Sequence, residues 1–203
     1  MFSNPKLYPK FLLSLAMLPV VFIGCKRDND VNTNTAFYHI IESEKLVIPA
    51  TVDLPSNKPG EYKRVATYYA VGVQQYKAQP KAGSSPVTYE WVFVAPKAKL
   101  YDISNEQAGT HTAGPTWQLS AADSIYGQQF SPPRTAPSPD GKSIDWLLLK
   151  PKDGKTPTGI FTNVIYIQRI ATRGGKAPAR LPESADETAE VKYTAVYRFT
   201  KKN

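Results

Sequence analysis

The ten residues from Gly109 to Gln118, G-T-H-T-A-G-P-T-W-Q, hold one of the chain's 2 histidines, one of its 3 tryptophans and a pair of glycines. Imidazole exchanges protons near neutral pH and is a common metal ligand, so His111 is a candidate catalytic acid or base and a candidate ligand contact. Trp117 offers a flat surface on which a ring or a sugar can stack. The same residues also fit a tight loop in which Gly109 and Gly114 supply unusual backbone angles, His111 hydrogen-bonds the loop and Trp117 enters the core. Both readings stay open at this level. A zinc site needs three or four ligands, whereas His39 stands in a different segment and has no H-x-x-x-H partner, so neither a metal nor a cofactor is expected.

A second cluster, I-Y-I-Q-R-I-A-T-R-G-G-K-A-P from Ile165 to Pro178, puts Gln168 and Arg169 inside an apolar run. A charge in such a place needs a partner. Arg169 is expected to face a carboxylate such as Asp145 or Asp123, with a ligand anion as the alternative, and Gln168 and Arg169 join His111 and Trp117 as candidate ligand-binding residues. Trp91 and Trp146 lie in apolar strands and are expected in the core. Other chemistries lack their parts. The loose phosphate-loop match A-P-S-P-D-G-K-S, Ala136 to Ser143, fails because Pro137 and Pro139 remove backbone donors and the following I-D-W-L-L-L reads as a strand rather than a helix. Asp140-Gly141 is then a turn. There is no dinucleotide fingerprint and no G-x-S-x-G elbow, and the one S-x-x-K, at Ser3 to Lys6, falls in a leader.

The elements that must position these residues are strands. Aromatic and β-branched residues crowd the apolar runs, and 18 Pro and 12 Gly separate them. Strands are expected at Val65 to Tyr76, Val87 to Val94, Lys99 to Tyr101, Thr116 to Leu119, Ser124 to Phe130, Ile144 to Leu149, Ile160 to Ile170 and Val191 to Thr200. Val65 to Tyr76 has apolar residues in both alternating sets, which implies cover on both faces near its middle. Gly72 within it marks a bulge or a close backbone approach. Val87, Tyr89, Trp91 and Phe93 alternate onto one face. The Pro-rich stretch Ser131 to Gly141 reads as a breaker, Phe37 to Ile41 and Leu46 to Ile48 as a small helix or edge strands covering the core, and Ser184 to Glu190 as a marginal helix. The expected fold is all-β: one domain, a sandwich or barrel of about eight to ten short strands with little helix.

Ahead of the domain, K-F-L-L-S-L-A-M-L-P-V-V-F-I-G-C-K, Lys10 to Lys26, has the form of a lipoprotein leader: a basic start, an apolar stretch too short to span a bilayer, and Gly24 before the only cysteine. Residues 1–24 are read as the leader, Cys25 as the lipidated N-terminus, residues 25–35 as a polar tether and residues 36–203 as the β-rich domain. The expected place is the bacterial cell envelope, exported and lipid-anchored, at the outer membrane or cell surface more than the inner membrane. The membrane, through that lipid, is thus an expected partner, beside a small-molecule or glycan ligand. The net charge of +8 comes from basic residues scattered singly or in pairs, unlike the concentrated basic element of a nucleic-acid protein. With Cys25 taken by lipid, no disulfide or catalytic thiol remains.

Taken in order, G-V-Q-Q-Y (Gly72 to Tyr76), E-W-V-F-V-A-P-K-A-K-L-Y-D (Glu90 to Asp102), G-T-H-T-A-G-P-T-W-Q (Gly109 to Gln118), D-W-L-L-L-K (Asp145 to Lys150) and Y-I-Q-R-I-A-T-R-G-G-K-A-P (Tyr166 to Pro178) resemble the domain-of-unknown-function 3455 family. The resemblance implies a secreted or exported protein without an established activity. Some relatives carry a malate dehydrogenase label, but the nucleotide-binding signals that label demands are missing here. Relatives also often have two cysteines, at the places held here by Ala78 and by the stretch from Ala179 to Pro182, which implies a bridge this chain has lost. The family's D-G-S turn is replaced by A-A-D-S, Ala121 to Ser124. The leading functional expectation is a lipid-anchored domain that binds a small molecule or glycan near His111 and Trp117. The alternatives are a hydrolase or isomerase using His111 as acid or base, oriented by a carboxylate such as Asp123, and a structural or protein-interaction lipoprotein without a pocket.

Overall fold

The computed structural model describes residues 35–55 and 60–203 besides Met1. The leader lies outside the described residues, Met1 apart, and so does the tether except Thr35. Eight strands follow one helix: α1 (Ala36–Glu44), β1 (Tyr62–Pro80), β2 (Tyr89–Tyr101), β3 (Gln107–Thr112), β4 (Thr116–Gln118), β5 (Ser124–Ala136), β6 (Trp146–Pro151), β7 (Val164–Gly174) and β8 (Thr188–Lys202). Each strand pairs antiparallel with the next, and β8 returns to β1 from Tyr62↔Lys202 to Lys77↔Thr188, closing a barrel. Closure leaves the sheet without an edge along that seam.

Alternation along the strands separates an inner from an outer surface. In β1 the even-numbered set Tyr68, Ala70, Gln74 and Tyr76 is buried, and Tyr69 between them is buried too, so the middle of β1 is covered on both faces as its pattern implies. Tyr68 and Ala70 join Leu100, Trp117, Ile125, Ile167, Tyr197 and Phe199 inside the barrel. Tyr69 packs outside with Ile40, Trp146, Leu148, Ile170 and Val196, beneath α1 and the segment after it. The outward positions of β1 and β2 that α1 leaves bare include Val71, Lys77, Lys97 and Lys99. A lipid-facing barrel has the reverse arrangement, apolar outside and polar within.

The helix begins where Thr35 Oγ1 accepts a hydrogen bond from Tyr38 N at 3.3 Å. Three outward side chains then tie this outer cover down. Arg198 Nη2 donates to Ser43 O at 2.9 Å and pairs with Glu44 at 3.2 Å, Gln168 Nε2 donates to Val52 O at 2.9 Å, and Arg134 donates to the carbonyls of Ala50, Thr51 and Asp53. Phe37 to Ile41 is therefore helical, while Leu46 and Ile48 cover the barrel without forming a strand or helix.

Several expectations need correction. β3, Gln107–Thr112, was not among the expected strands, because its inward positions are filled by the small Gly109 and by His111 rather than by an apolar alternation. β5 continues through the Pro-rich stretch to Ala136; its pairing with β6 jumps from Gln129↔Leu149 to Arg134↔Leu148, so the prolines occupy an excursion that needs no ladder donors. Ser184 to Glu190 is not helical, since Thr188 already begins β8. Trp91 is only partly buried and Phe93 is half exposed, because β2 pairs with β3 only from Ala98 onward and its earlier half overhangs the barrel mouth with β1. Gly72 does mark a close approach: a Cβ there would land on the Lys97 carbonyl.

Candidate functional site

The barrel has one open and one plugged end. At the plugged end the 3-10 turn Gly159–Phe161 inserts Phe161, fully buried, against Phe199 at a ring-centroid distance of 4.7 Å. Asp123 staples that turn: its Oδ1 accepts from Ile160 N at 2.9 Å and its Oδ2 from Ser120 Oγ at 2.6 Å. These hydrogen bonds hold the Asp123 carboxyl below its usual pKa. Gly159 has φ +59°, and a Cβ there would land on the Asp123 carboxylate, so glycine is required on both counts. The altered A-A-D-S turn thus has a structural task, at the far end of the strands from His111.

At the open end the β3–β4 hairpin turns at Ala113-Gly114-Pro115 and sets His111 directly opposite Trp117, both pointing inward. Opposed residues on one face of a ladder are held in contact by register alone, and the rings stack at 4.4 Å with 9° between planes. Tyr197 of β8 meets both edge-on, at 4.9 Å and 5.2 Å. His111 Nδ1 donates to the Thr116 carbonyl at 2.9 Å, which fixes the tautomer and leaves Nε2 as an acceptor. Burial pushes the His111 pKa down to about 3 against the help of that carbonyl, so the ring is neutral at pH 7. Its orienting partner is a main-chain carbonyl, and Asp123 is committed elsewhere. His111 is both a satisfied interior residue and a wall of the cavity.

That cavity, about 350 Å³, lies above Trp117 and is walled by Phe93, Val94, Pro96, Leu147, Leu149 and Tyr197, with Gln74, Gln129 and Arg169 as its polar members. A second space of about 390 Å³ adjoins it, sharing Gln74, Phe93, Gln129, Leu147 and Arg169 and adding Tyr76, Asp145 and Lys176. Tyr76 Oη donates to Gly175 O at 2.6 Å and so anchors the β7–β8 connection at the rim. Further along that connection Trp91 Nε1 donates to Arg180 O at 2.7 Å, and Ala78 pairs with Trp91, so the two places where relatives often carry cysteines are held together by an indole hydrogen bond.

Arg169 does not make the expected ion pair. Its Nε and Nη2 both donate to the Asp145 main-chain carbonyl, at 3.1 Å and 2.8 Å, and among the described residues it pairs with no carboxylate. The physical reason is register: Leu147↔Arg169 places the guanidinium under the strand start at Asp145, within reach of its carbonyl, while Asp123 sits at the other end. Gln168, one position along, faces outward to Val52 and is not brought to the cavity.

Six described side-chain atoms are buried without a well-formed hydrogen bond, and four belong to the barrel interior: Gln74 Nε2, Trp117 Nε1, Tyr193 Oη and Tyr197 Oη; Tyr193 lies close to Gln74 and Tyr197, and Tyr197 to Arg169, in looser side-chain contact. Gln74 is 2% exposed, Trp117 0% and Tyr197 1%. Burial raises the pKa of both tyrosines, and Arg169 opposes the rise, so both stay protonated donors. Gln74, Tyr193 and Tyr197 were not singled out in the sequence. The available signal was their phase, each lying in the inward set of its strand. His39, by contrast, stacks on Tyr69 outside the barrel at 4.2 Å, on the other side of the wall from His111, and the described residues contain no group of three metal-ligating side chains. The phosphate-loop look-alike is closed on itself: Asp140 accepts from Ser138, Lys142 and Ser143, and Gly141 N donates to Ser138 O.

No curated protein and no solved structure matches the chain. A family model described as "Protein of unknown function (DUF3455)" matches residues 58–201, which takes in the barrel strands except the last residue of β8, and each of the cavity residues. On that match the chain belongs to this family of proteins of unknown function.

Proposed function

We propose that the chain is a small-molecule-binding protein that holds its ligand in the mouth of the barrel. The observation carrying this reading is the set of buried donors on Gln74, Trp117 and Tyr197, none in a well-formed hydrogen bond, around one cavity. A buried polar group without a partner costs about 1–3 kcal/mol. Three in one wall are a poor design for a core and a good one for a site whose ligand supplies the acceptors. The cavity falls in the ~300–1,000 Å³ range of small-molecule sites and has their usual character, mostly apolar with a few convergent polar groups. A glycan remains within the proposal only as a small sugar stacked on Trp117. Turnover by His111 is less well supported: a ring with a pKa near 3 and no orienting carboxylate is a feeble base at pH 7.

The leader-like run before Cys25 supports an exported binder held by lipid at the bacterial envelope. No helix among the described residues is long and apolar enough to cross a membrane. Changing Cys25 to Ala is expected to move the protein out of the membrane fraction; retention there would end the lipid-anchor reading.

The test of binding is a thermal-shift screen of the full chain against organic acids, sugars, nucleosides and amines. A ligand at 100 times its Kd adds about 2.7 kcal/mol of stability. Stabilisation by at least one class, lost in Leu147→Trp where the new indole fills the cavity, is expected. Stabilisation by none would overturn the reading in favour of a protein-interaction role.

A further inference from the structure

We infer that the ligand of this lumen is an organic anion, bound with its acidic group on Arg169 and its apolar body over Trp117. This rests on the lumen being a ligand site, as proposed above, and adds the ligand's charge and orientation.

Among the described residues, Arg169 is the only one of permanent charge lining the inner cavity. Two of its donors share one neutral carbonyl, Asp145 O. A guanidinium has five N-H donors in a planar fork, so even with one N-H near the Tyr197 hydroxyl two remain for a bidentate acid. The side chain is part-buried, where a charge facing no counter-charge is expensive. Donors predominate among the surrounding polar atoms that lack a well-formed hydrogen bond: Gln74 Nε2, Trp117 Nε1 and Tyr197 Oη. Arg169 is near enough to Tyr197 and Tyr193 to act on both hydroxyls. The acceptors in the wall are His111 Nε2 and the amide oxygens of Gln74 and Gln129.

The other charges nearby lie outward. Asp145 and Lys176 line only the outer space, and Lys176 Nζ is turned to Gly141 O at 2.7 Å. A cationic ligand would find no carboxylate in the inner cavity. A neutral one would leave Arg169 unanswered. The apolar remainder, Phe93, Leu147, Leu149 and the Trp117 face, demands a hydrocarbon or aromatic body rather than a bare inorganic ion.

The experiment is a calorimetric titration of the full chain with phenylacetate, benzoate and hexanoate, each beside its neutral amide and its amine analogue. The carboxylates are expected to bind at least about tenfold more tightly than the amides, a difference of about 1.4 kcal/mol, and the amines not to bind. Arg169→Met should erase the preference for carboxylate over amide. The comparison within the unaltered chain decides the matter even if that variant does not fold. Amides or amines binding as well as the acids would overturn the anion assignment and leave the binding site standing. Binding of sugars or nucleosides, with no acid bound, would do the same. Silence from these probes together with every class in the broader screen would overturn both.

Discussion

The two ends of the barrel interior are lined by residues of similar bulk and opposite chemistry. Below Trp117, Leu100, Ile125, Phe161, Val164 and Phe199 are almost wholly buried and carry no polar side-chain atom. Above it, Gln74, His111, Arg169, Tyr193 and Tyr197 crowd polar atoms into a similar enclosure, several without a well-formed hydrogen bond. Close packing at one end is where stability comes from, and the other end spends some of it on unanswered donors. Proteins depart from a consistent core mainly at functional sites, so the contrast supports the proposed site more than His111 or Trp117 does alone.

The contrast is sharpened first by deleting bulk from the plug. Phe199→Ala should cost about 3–5 kcal/mol in a urea melt, as large aromatic truncations in packed cores do; a loss under 1 kcal/mol would show the plug to be loosely packed and erase the difference between the ends. Gly159→Ala should cost roughly 2 kcal/mol through its left-handed backbone and its collision with Asp123, and Asp123→Gly in the same background should recover part of that.

Acid should act on the upper end. The pKa of His111 falls from 6.5 in the unfolded chain to about 3 in the fold, so between those values the unfolded chain binds the proton better. Its contribution is complete above pH 6.5 and is lost as pH falls toward 3, at about 1.4 kcal/mol per unit, or about 3 kcal/mol by pH 4.5. His39, lowered by burial and by Arg173, adds in the same direction. The depressed carboxyls, such as Glu187 at about 2, respond only at lower pH. Melts of the chain against His111→Gln from pH 7 to 4.5 isolate the His111 part; equal pH slopes would show that the ring is not kept neutral by burial.

The smallest effect has the opposite sign. Tyr197→Phe and Gln74→Leu remove, at nearly constant shape, polar atoms without a well-formed hydrogen bond, so each should be neutral or stabilise by up to about 1 kcal/mol while weakening ligand binding. The same Tyr→Phe change costing more than 1 kcal/mol in the ligand-free protein would mean that the hydroxyl is already satisfied, and would remove one support of the proposed site.

Local chemistry in the sequence determined the all-β class, seven of the eight strands, the cover on both faces of β1, the Asp140-Gly141 turn and the failure of the phosphate-loop match. Alternation and proline placement act over a few residues, so these features could be read without knowing what pairs with what. His111 and Trp117 could likewise be suspected, since both lie within one ten-residue stretch. Only the tertiary structure decided the rest. Barrel closure depends on β8 meeting β1 across more than a hundred residues, and the register of β6 on β7 turned Arg169 inward to a carbonyl while sending Gln168 to the outer strap. Trp91 read as core but overhangs the mouth, because a strand's burial depends on whether a second neighbour continues alongside it. A one-residue change of phase exchanges the two faces of a strand. Which polar residues meet inside the barrel is therefore set by long-range pairing that no short motif records.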